Sequence, residues 1–208
     1  MLLSHKKGNT FQNVKLYTGG DELNYYRLTQ MYQYEEDTIV VNDYDLTGFD
    51  LRRFWKGQRI DSWDQSSIRL ISSNQEIALD CLPNILSWLI LSNKAVSTFE
   101  KTGINNIQVF PVNIAFGKQG YELNYNIVNI LTRISALDRN RSDFVCWDDG
   151  SEDIKFIRKV VLDKTKLPDD IHIFFLKEGT GYIVVSDVLK NALLEQDMTG
   201  FEFTSLED

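Results

Sequence analysis

The sequence predicts an α+β fold: mostly antiparallel sheet with a few short amphipathic helices. Three observations carry this. Segments such as "YELNYNIV" alternate apolar and polar residues with the period of two that a half-buried strand requires. Turn signals such as "FGKQG", "DDGSED" and "GTG" separate the apolar runs at short intervals. Two stretches, Trp88 to Val109 and Tyr182 to Phe203, each read as strand, capped helix and strand, with Ser92 and Ser186 at the same place in each.

The elements follow in chain order. In the first third, Leu23–Thr29 and Thr38–Asn42 read as strands, with Glu35–Asp37 as the turn between them. Gly48 and Gly57 mark further turns, and "SSIRLIS" is a short strand. In the middle third, the unbroken apolar run Leu89–Leu91 is a buried strand, and Ser92 or Asn93 caps a helix by accepting a free backbone N–H of its first turn. Ala95, Val96 and Phe99 form the apolar face of that helix, and Thr102-Gly103 ends it. Ile107–Phe110 returns as a strand that Pro111 is expected to interrupt. A hairpin turning at Gly117 and Gly120 follows, its second strand burying Tyr121, Leu123, Tyr125 and Ile127 and wetting Glu122, Asn124 and Asn126. In the last third, "DFVCW" and "IKFIRKVVLD" flank the turn "DDGSED", and "IHIFFL" and "YIVV" flank Gly179 and Gly181. Ser186 or Asp187 caps the second helix, whose inner stripe is Val188, Leu189, Ala192 and Leu193; Gly200 then leads into a strand carrying Phe201 and Phe203 on one face. The two units share a pattern and a single aligned letter, the serine, so duplication and convergence both remain open.

Composition sets the outer bounds. The 208 residues suffice for a sizeable core, and 43% hydrophobic with 25% charged residues is ordinary for a folded soluble protein. A strand-rich N-terminal region, 1–84, and an α+β region, 85–208, are expected to form one compact unit. The net charge of −8 disfavours nucleic acid, whose binding needs clustered Lys and Arg, and suits a basic partner. The start "MLLSHKKGNT" lacks the apolar core of about 7–15 residues that a signal peptide needs. The most apolar segment, "CLPNILSWLIL", is too short to span a bilayer. These features predict a cytoplasmic protein that does not enter the membrane, with Cys81 and Cys146 as free thiols.

No sequence motif for chemistry survives inspection. The two histidines are His5, near the terminus, and His172, a strand residue with no ligand-spaced neighbour. HExxH, CxxC, GxSxG and glycine-rich phosphate loops are absent, and "FGKQGYE" is a turn rather than a P-loop. Ser4 and Lys7 match S-x-x-K only formally. The loop "WDDGSED" groups Asp148, Asp149, Glu152 and Asp153 without the order of a calcium loop; it reads as a solvated turn or an acidic patch facing a partner. A second acidic segment is Glu35, Glu36 and Asp37, amid the aromatics Tyr25, Tyr26, Tyr32, Tyr34, Phe49, Phe54, Trp55 and Trp63. Such aromatics fill a core more often than a contact surface. No cofactor, metal site or catalytic residue is expected.

Further resemblance comes from "LILSNKAVSTFEKTGINNIQVFPVNI", "YELNYNIVNILTRISALDRNRSDF" and "IRKVVLDKTKLPDDIHIFFLKEGTGYIVVSDVLKNALLEQDMTGFEF", in that order. They resemble a family of bacterial polymorphic-toxin immunity proteins, immunity protein family eleven, over roughly residues 85–206. The ending "VSDVLKNALLEQDMTGFEF" is the most specific part. The resemblance implies a cytoplasmic protein that binds and neutralises a cognate toxin by direct contact, and the net charge of −8 suits a basic one. It carries over no catalytic residue: Ser186, Leu189, Leu193, Gly200, Phe201 and Phe203 are explained by capping, packing and turns. Specificity is then expected on variable surface, with Asp148, Asp149, Glu152, Asp153, Glu35, Glu36 and Asp37 as candidate toxin contacts. The alternatives are an adaptor for a secretion system and, further off, an enzyme with a pocket of perturbed titratable groups.

Overall fold

The computed structural model describes residues 23–73, 76–116 and 121–206. The strands in chain order are β1 (Tyr25–Gln30), β2 (Val41–Leu46), β3 (Ile68–Ser72), β4 (Leu89–Leu91), β5 (Ile107–Phe116), β6 (Tyr121–Ile130), β7 (Arg133–Ile134), β8 (Asp143–Cys146), β9 (Ile154–Lys159), β10 (Ile173–Leu176), β11 (Ile183–Ser186) and β12 (Phe201–Ser205). The helices are α1 (Asn93–Lys101) and α2 (Asp187–Glu195). One sheet runs β12-β1-β11-β10-β7 and a second β2-β3-β5-β6-β4, while among the described residues β8 and β9 pair only with each other. All pairings are antiparallel except β7 with β10 and β3 with β5.

Alternation along the strands assigns each face. In the second sheet, Leu89, Leu91, Val128 and Ile130 point into a core shared with Leu28, Ile173, Phe175, Ile183 and Val185 of the first sheet. Both helices enter the same core, through Ala95, Val96 and Phe99 and through Leu189 and Leu193. The outer face of the second sheet buries Ile90, Val112, Ile114 and Ile127 beneath Phe54 and Trp88. The outer face of the first buries Phe174, Leu176 and Val184 beneath Ala136, Leu137, Val160, Leu162 and Leu206. Each sheet is therefore covered on both faces, which explains why β10 and β11 read as unbroken apolar runs.

The two strand–helix–strand units share one topology. The strands flanking α1, β4 and β5, are both antiparallel to β6, which lies between them. The strands flanking α2, β11 and β12, are both antiparallel to β1, which lies between them. Ser92 Oγ accepts the Ala95 N–H (3.1 Å), and Ser186 Oγ accepts the Leu189 N–H (3.5 Å). Both helices also close alike. Ile104 N–H reaches back to Phe99 O and Gly103 N–H to Glu100 O; Met198 N–H reaches Leu193 O and Asp197 N–H reaches Leu194 O. This is the Schellman closure, with its left-handed residue Gly103 (φ +79) in one unit and Asp197 (φ +50) in the other.

A polar junction joins the sheets. Asp80 accepts the Ser92 hydroxyl on Oδ1 (2.7 Å) and the Thr199 N–H and hydroxyl on Oδ2 (3.1 and 3.2 Å). Asp80 N–H donates to Thr199 Oγ1 (3.1 Å) and Cys81 N–H to Thr199 O (3.0 Å). Gly200 follows at φ +85, so close to the Cys81 carbonyl that a Cβ there would collide with backbone.

Several expectations need correcting. Glu35–Asp37 forms the expected turn, the Thr38 N–H reaching Glu35 O (3.0 Å), but the strand after it begins at Val41 rather than Thr38, and because β11 and β12 occupy both edges of β1 it pairs in the other sheet. Pro111 does not interrupt β5, which pairs with β6 throughout. The Pro111 carbonyl receives the Trp63 indole N–H (3.1 Å), so its backbone polar side faces away from β6 and its missing N–H costs the ladder nothing. The wet face of β6 is wet only at Glu122 and Asn124, because farther along the shared core covers it. There Asn126 is buried and bonds Asn93, and Asn129 is buried on the opposite face and bonds Gln58 O and Gln108. The turn at Gly117 and Gly120 lies outside the described residues, as does His5.

Two glycine exchanges read this architecture in opposite directions. Gly200→Ala should lose about 2–4 kcal/mol, combining left-handed strain with collision at the Cys81 carbonyl. Asp197→Gly should gain about 0.5–1 kcal/mol by relieving the left-handed residue that closes α2. Urea denaturation midpoints at fixed slope measure both.

Candidate functional site

The acidic loop is the β8–β9 turn. Gly150 takes φ +81, and Asp149 Oδ1 accepts the Ser151 N–H (2.9 Å), which with the Ser151 hydroxyl holds the Asp149 carboxyl below its usual range. Asp148, Asp149, Glu152 and Asp153 are all exposed. Arg139 anchors the loop: its guanidinium donates to Glu152 O (3.1 Å) and lies 4.8 Å from the Phe144 ring centroid. Phe144, Ile154 and Ile157 turn inward against the outer core of the first sheet. Trp147 (51% exposed) and Phe156 (46% exposed) remain accessible, with Lys155 5.0 Å and Arg158 5.2 Å from their ring centroids. The hairpin thus presents an acidic tip beside two cation-flanked aromatic rings. Beneath it opens a cleft of about 740 Å³ whose walls mix both signs of charge, including Arg139, Asp153, Lys177 and Glu178.

Glu35, Glu36 and Asp37 are also exposed, beside the exposed Tyr32 and Tyr34. Their turn leads into Ile39 and Val41 of the outer core of the second sheet, whereas the hairpin packs on the outer core of the first. The two acidic segments are therefore carried by different layers, one on each flank of the shared core. The other aromatics of the first third divide: Tyr25 and Phe54 are buried and Phe49, Trp55 and Trp63 partly so, with Phe54 and Trp88 4.6 Å apart and Trp63 stacked on Phe110 at 4.6 Å.

His172 has a structural partner. Its Nδ1 lies 2.9 Å from Ser186 Oγ, the cap of α2. Burial pushes its pKa down, against the opposing pull of Asp170 and Asp187. A neutral ring accepts the Ser186 hydroxyl proton, leaving the Ser186 oxygen to cap Leu189, as Asp80 does for Ser92. Burial pushes the Cys81 thiol up to about 12, while Cys146 is half-buried beside Arg139; both are free thiols. Among the described residues no group of three or more His, Cys, Asp or Glu is placed to hold a metal ion, and no helix is long and apolar enough to cross a membrane.

A family model described as Immunity protein family (Imm11) matches residues 24–208. The chain belongs to this family. No individual curated protein matches it. The match begins one residue before β1, so this immunity protein family takes in the N-terminal strands as well as the segments that carry the resemblance in the sequence. Two features of this immunity protein escape sequence reasoning. Trp147 and Phe156 look like ordinary strand aromatics until the hairpin is seen to pair with no other strand. The tie between Asp80 and Thr199 spans residues too distant for any local pattern to reveal.

The His172 contact predicts a pH dependence. Its folded pKa lies below the unfolded value of about 6.5, so the unfolded chain binds more protons and stability rises with pH across that interval. This contribution is present above the unfolded pKa and is lost as pH falls through the folded one. Urea midpoints at pH 7.5 and 5.5 should show a drop on acidification that His172→Gln reduces, because glutamine can accept from Ser186 without titrating.

Proposed function

We propose that the chain neutralises a cognate toxin by direct protein–protein contact, acting in the cytoplasm as a binding inhibitor that needs no cofactor. Membership of an immunity protein family across residues 24–208 carries this reading. The surface is consistent with it. A stable interface buries roughly 1,200–2,000 Å² in total, more than an acidic turn alone supplies, and Trp147 and Phe156 give the hairpin the exposed aromatic area such contacts use. The net charge of −8 and the exposed Asp148, Asp149, Glu152 and Asp153 favour a basic toxin drawn in by charge, with Glu35, Glu36 and Asp37 as a second acidic contact.

Co-expression tests the function. Affinity capture at low salt should recover a protein that arrests growth when expressed alone and is harmless beside this chain. Recovery of secretion components alone, with no toxic partner, would overturn the reading in favour of an adaptor. Given the toxin, reversing Asp148, Asp149, Glu152 and Asp153 to Lys should slow association about tenfold at low salt, with the gap closing as salt rises. Equal association rates would remove the loop from the encounter and leave immunity intact.

A further inference from the structure

The β8–β9 hairpin is built with two distinct faces. Phe144 pairs with Ile157 and Cys146 with Ile154, and the apolar members of these pairs turn inward against the outer core of the first sheet. Val145 pairs with Phe156, so both belong to the opposite face. Trp147 stands two residues on from Val145, and its N–H to Asp153 O (3.1 Å) continues the ladder, which places it on that outer face too. The exposure of Trp147 (51%) and Phe156 (46%) agrees.

The strands are unequal. The six residues of β9 span only four of β8, through two register shifts that leave Lys155 and Arg158 without a strand partner. Each inserted residue is thus a cation, and each lies over one ring: Lys155 over Trp147 and Arg158 over Phe156. Arg158 also bonds Asp143 (3.3 Å). The outer face is therefore polarised. Four exposed carboxylates form the tip, the two rings follow, and the exposed charges of β9 beyond the tip are all positive. Bulges also make β9 a poor edge for adding another strand, so a partner meets side chains rather than backbone.

We propose that this outer face retains the toxin after encounter, with Trp147 and Phe156 as its anchors. The matching toxin surface is an apolar patch bordered by Lys or Arg over the tip and by Asp or Glu over Lys155 and Arg158. The inference rests on the toxin-binding reading and adds to it the partner's orientation and the residues that hold it. Charge complementarity sets the orientation, because the reversed patch would oppose like charges at both borders. Rings beside cations would also suit a phosphate backbone or an anionic lipid surface, but the tip carboxylates repel both.

The toxic partner recovered by low-salt capture is the probe. Trp147→Ala and Phe156→Ala should each speed its dissociation about tenfold while leaving association within about twofold. Both variants should melt close to the wild-type temperature, since the outer face lies outside the core. A photo-cross-linking p-benzoylphenylalanine placed at Phe156 gives a readout that does not depend on affinity; the same group at Leu194, exposed on α2, is the control. Cross-links to the toxin should form from Phe156 and not from Leu194, and the toxin surface they mark should carry an apolar patch between basic and acidic groups. Unchanged dissociation in both variants, cross-links from Leu194 alone, or cross-links from Phe156 to a second copy of this chain overturn the hairpin face as the docking surface, while neutralisation by the wild-type chain keeps the function. A captured partner that the wild-type chain fails to neutralise overturns the toxin-binding reading, and this inference with it.

Discussion

The fold depends on one carboxylate. Asp80 lies between β3 and β4 of the second sheet, and its two oxygens divide between the elements it must join. One holds the serine that caps α1; the other holds Thr199, at the entry to β12 of the first sheet. Hydrogen bonds to a charged group contribute about 1.5–3 kcal/mol each, against about 0.5–1.5 for neutral ones. The shared apolar core attracts the two sheets without fixing their register, because hydrophobic burial has no direction. The Asp80–Thr199 bonds and the close approach of Gly200 to the Cys81 carbonyl supply that direction.

The junction also explains why one unit occurs twice. Each unit must close a helix onto a sheet in few residues, and each does so with a capping serine at one end and a Schellman turn at the other. Each capping hydroxyl also bonds a third group, Asp80 in one unit and His172 in the other. The left-handed closing position is glycine in the first unit and aspartate in the second, so equivalent geometry hides behind different letters. The ending "TGFEF" follows from the same logic. Threonine bonds Asp80, glycine clears the Cys81 carbonyl, and the phenylalanines stack with ring centroids 6.3 Å apart against the shared core. Every residue of this stretch but its glutamate is thus accounted for by scaffold contacts.

Sequence patterns revealed the local elements well. Ser92, Gly103 and Ser186 mark helix ends through chemistry that acts within four residues, and the alternation in β6 was legible at Leu123 and Tyr125. What stayed hidden was non-local. Nothing near β1 states that its neighbours are β11 and β12, from the other end of the chain. Nothing near Asn126 or Asn129 states that a second layer will cover them, since an asparagine on an alternating strand is ordinarily wet. The acidic loop was legible as a turn because Asp149-Gly150 is a local signal.

These scales divide the work of binding on the proposed reading. Charge acts at distances set by a screening length of about 8 Å in physiological salt and chiefly governs encounter. A buried anchor acts at contact and chiefly governs escape. On that reading the acidic tip of the hairpin serves encounter, and the exposed rings of Trp147 and Phe156 beside it offer area to bury at contact. The hairpin pairs with no other strand, so its loop residues can change with little effect on the shared core. On that reading the charged tip can be altered to suit a partner while the shared core between the sheets stays as it is.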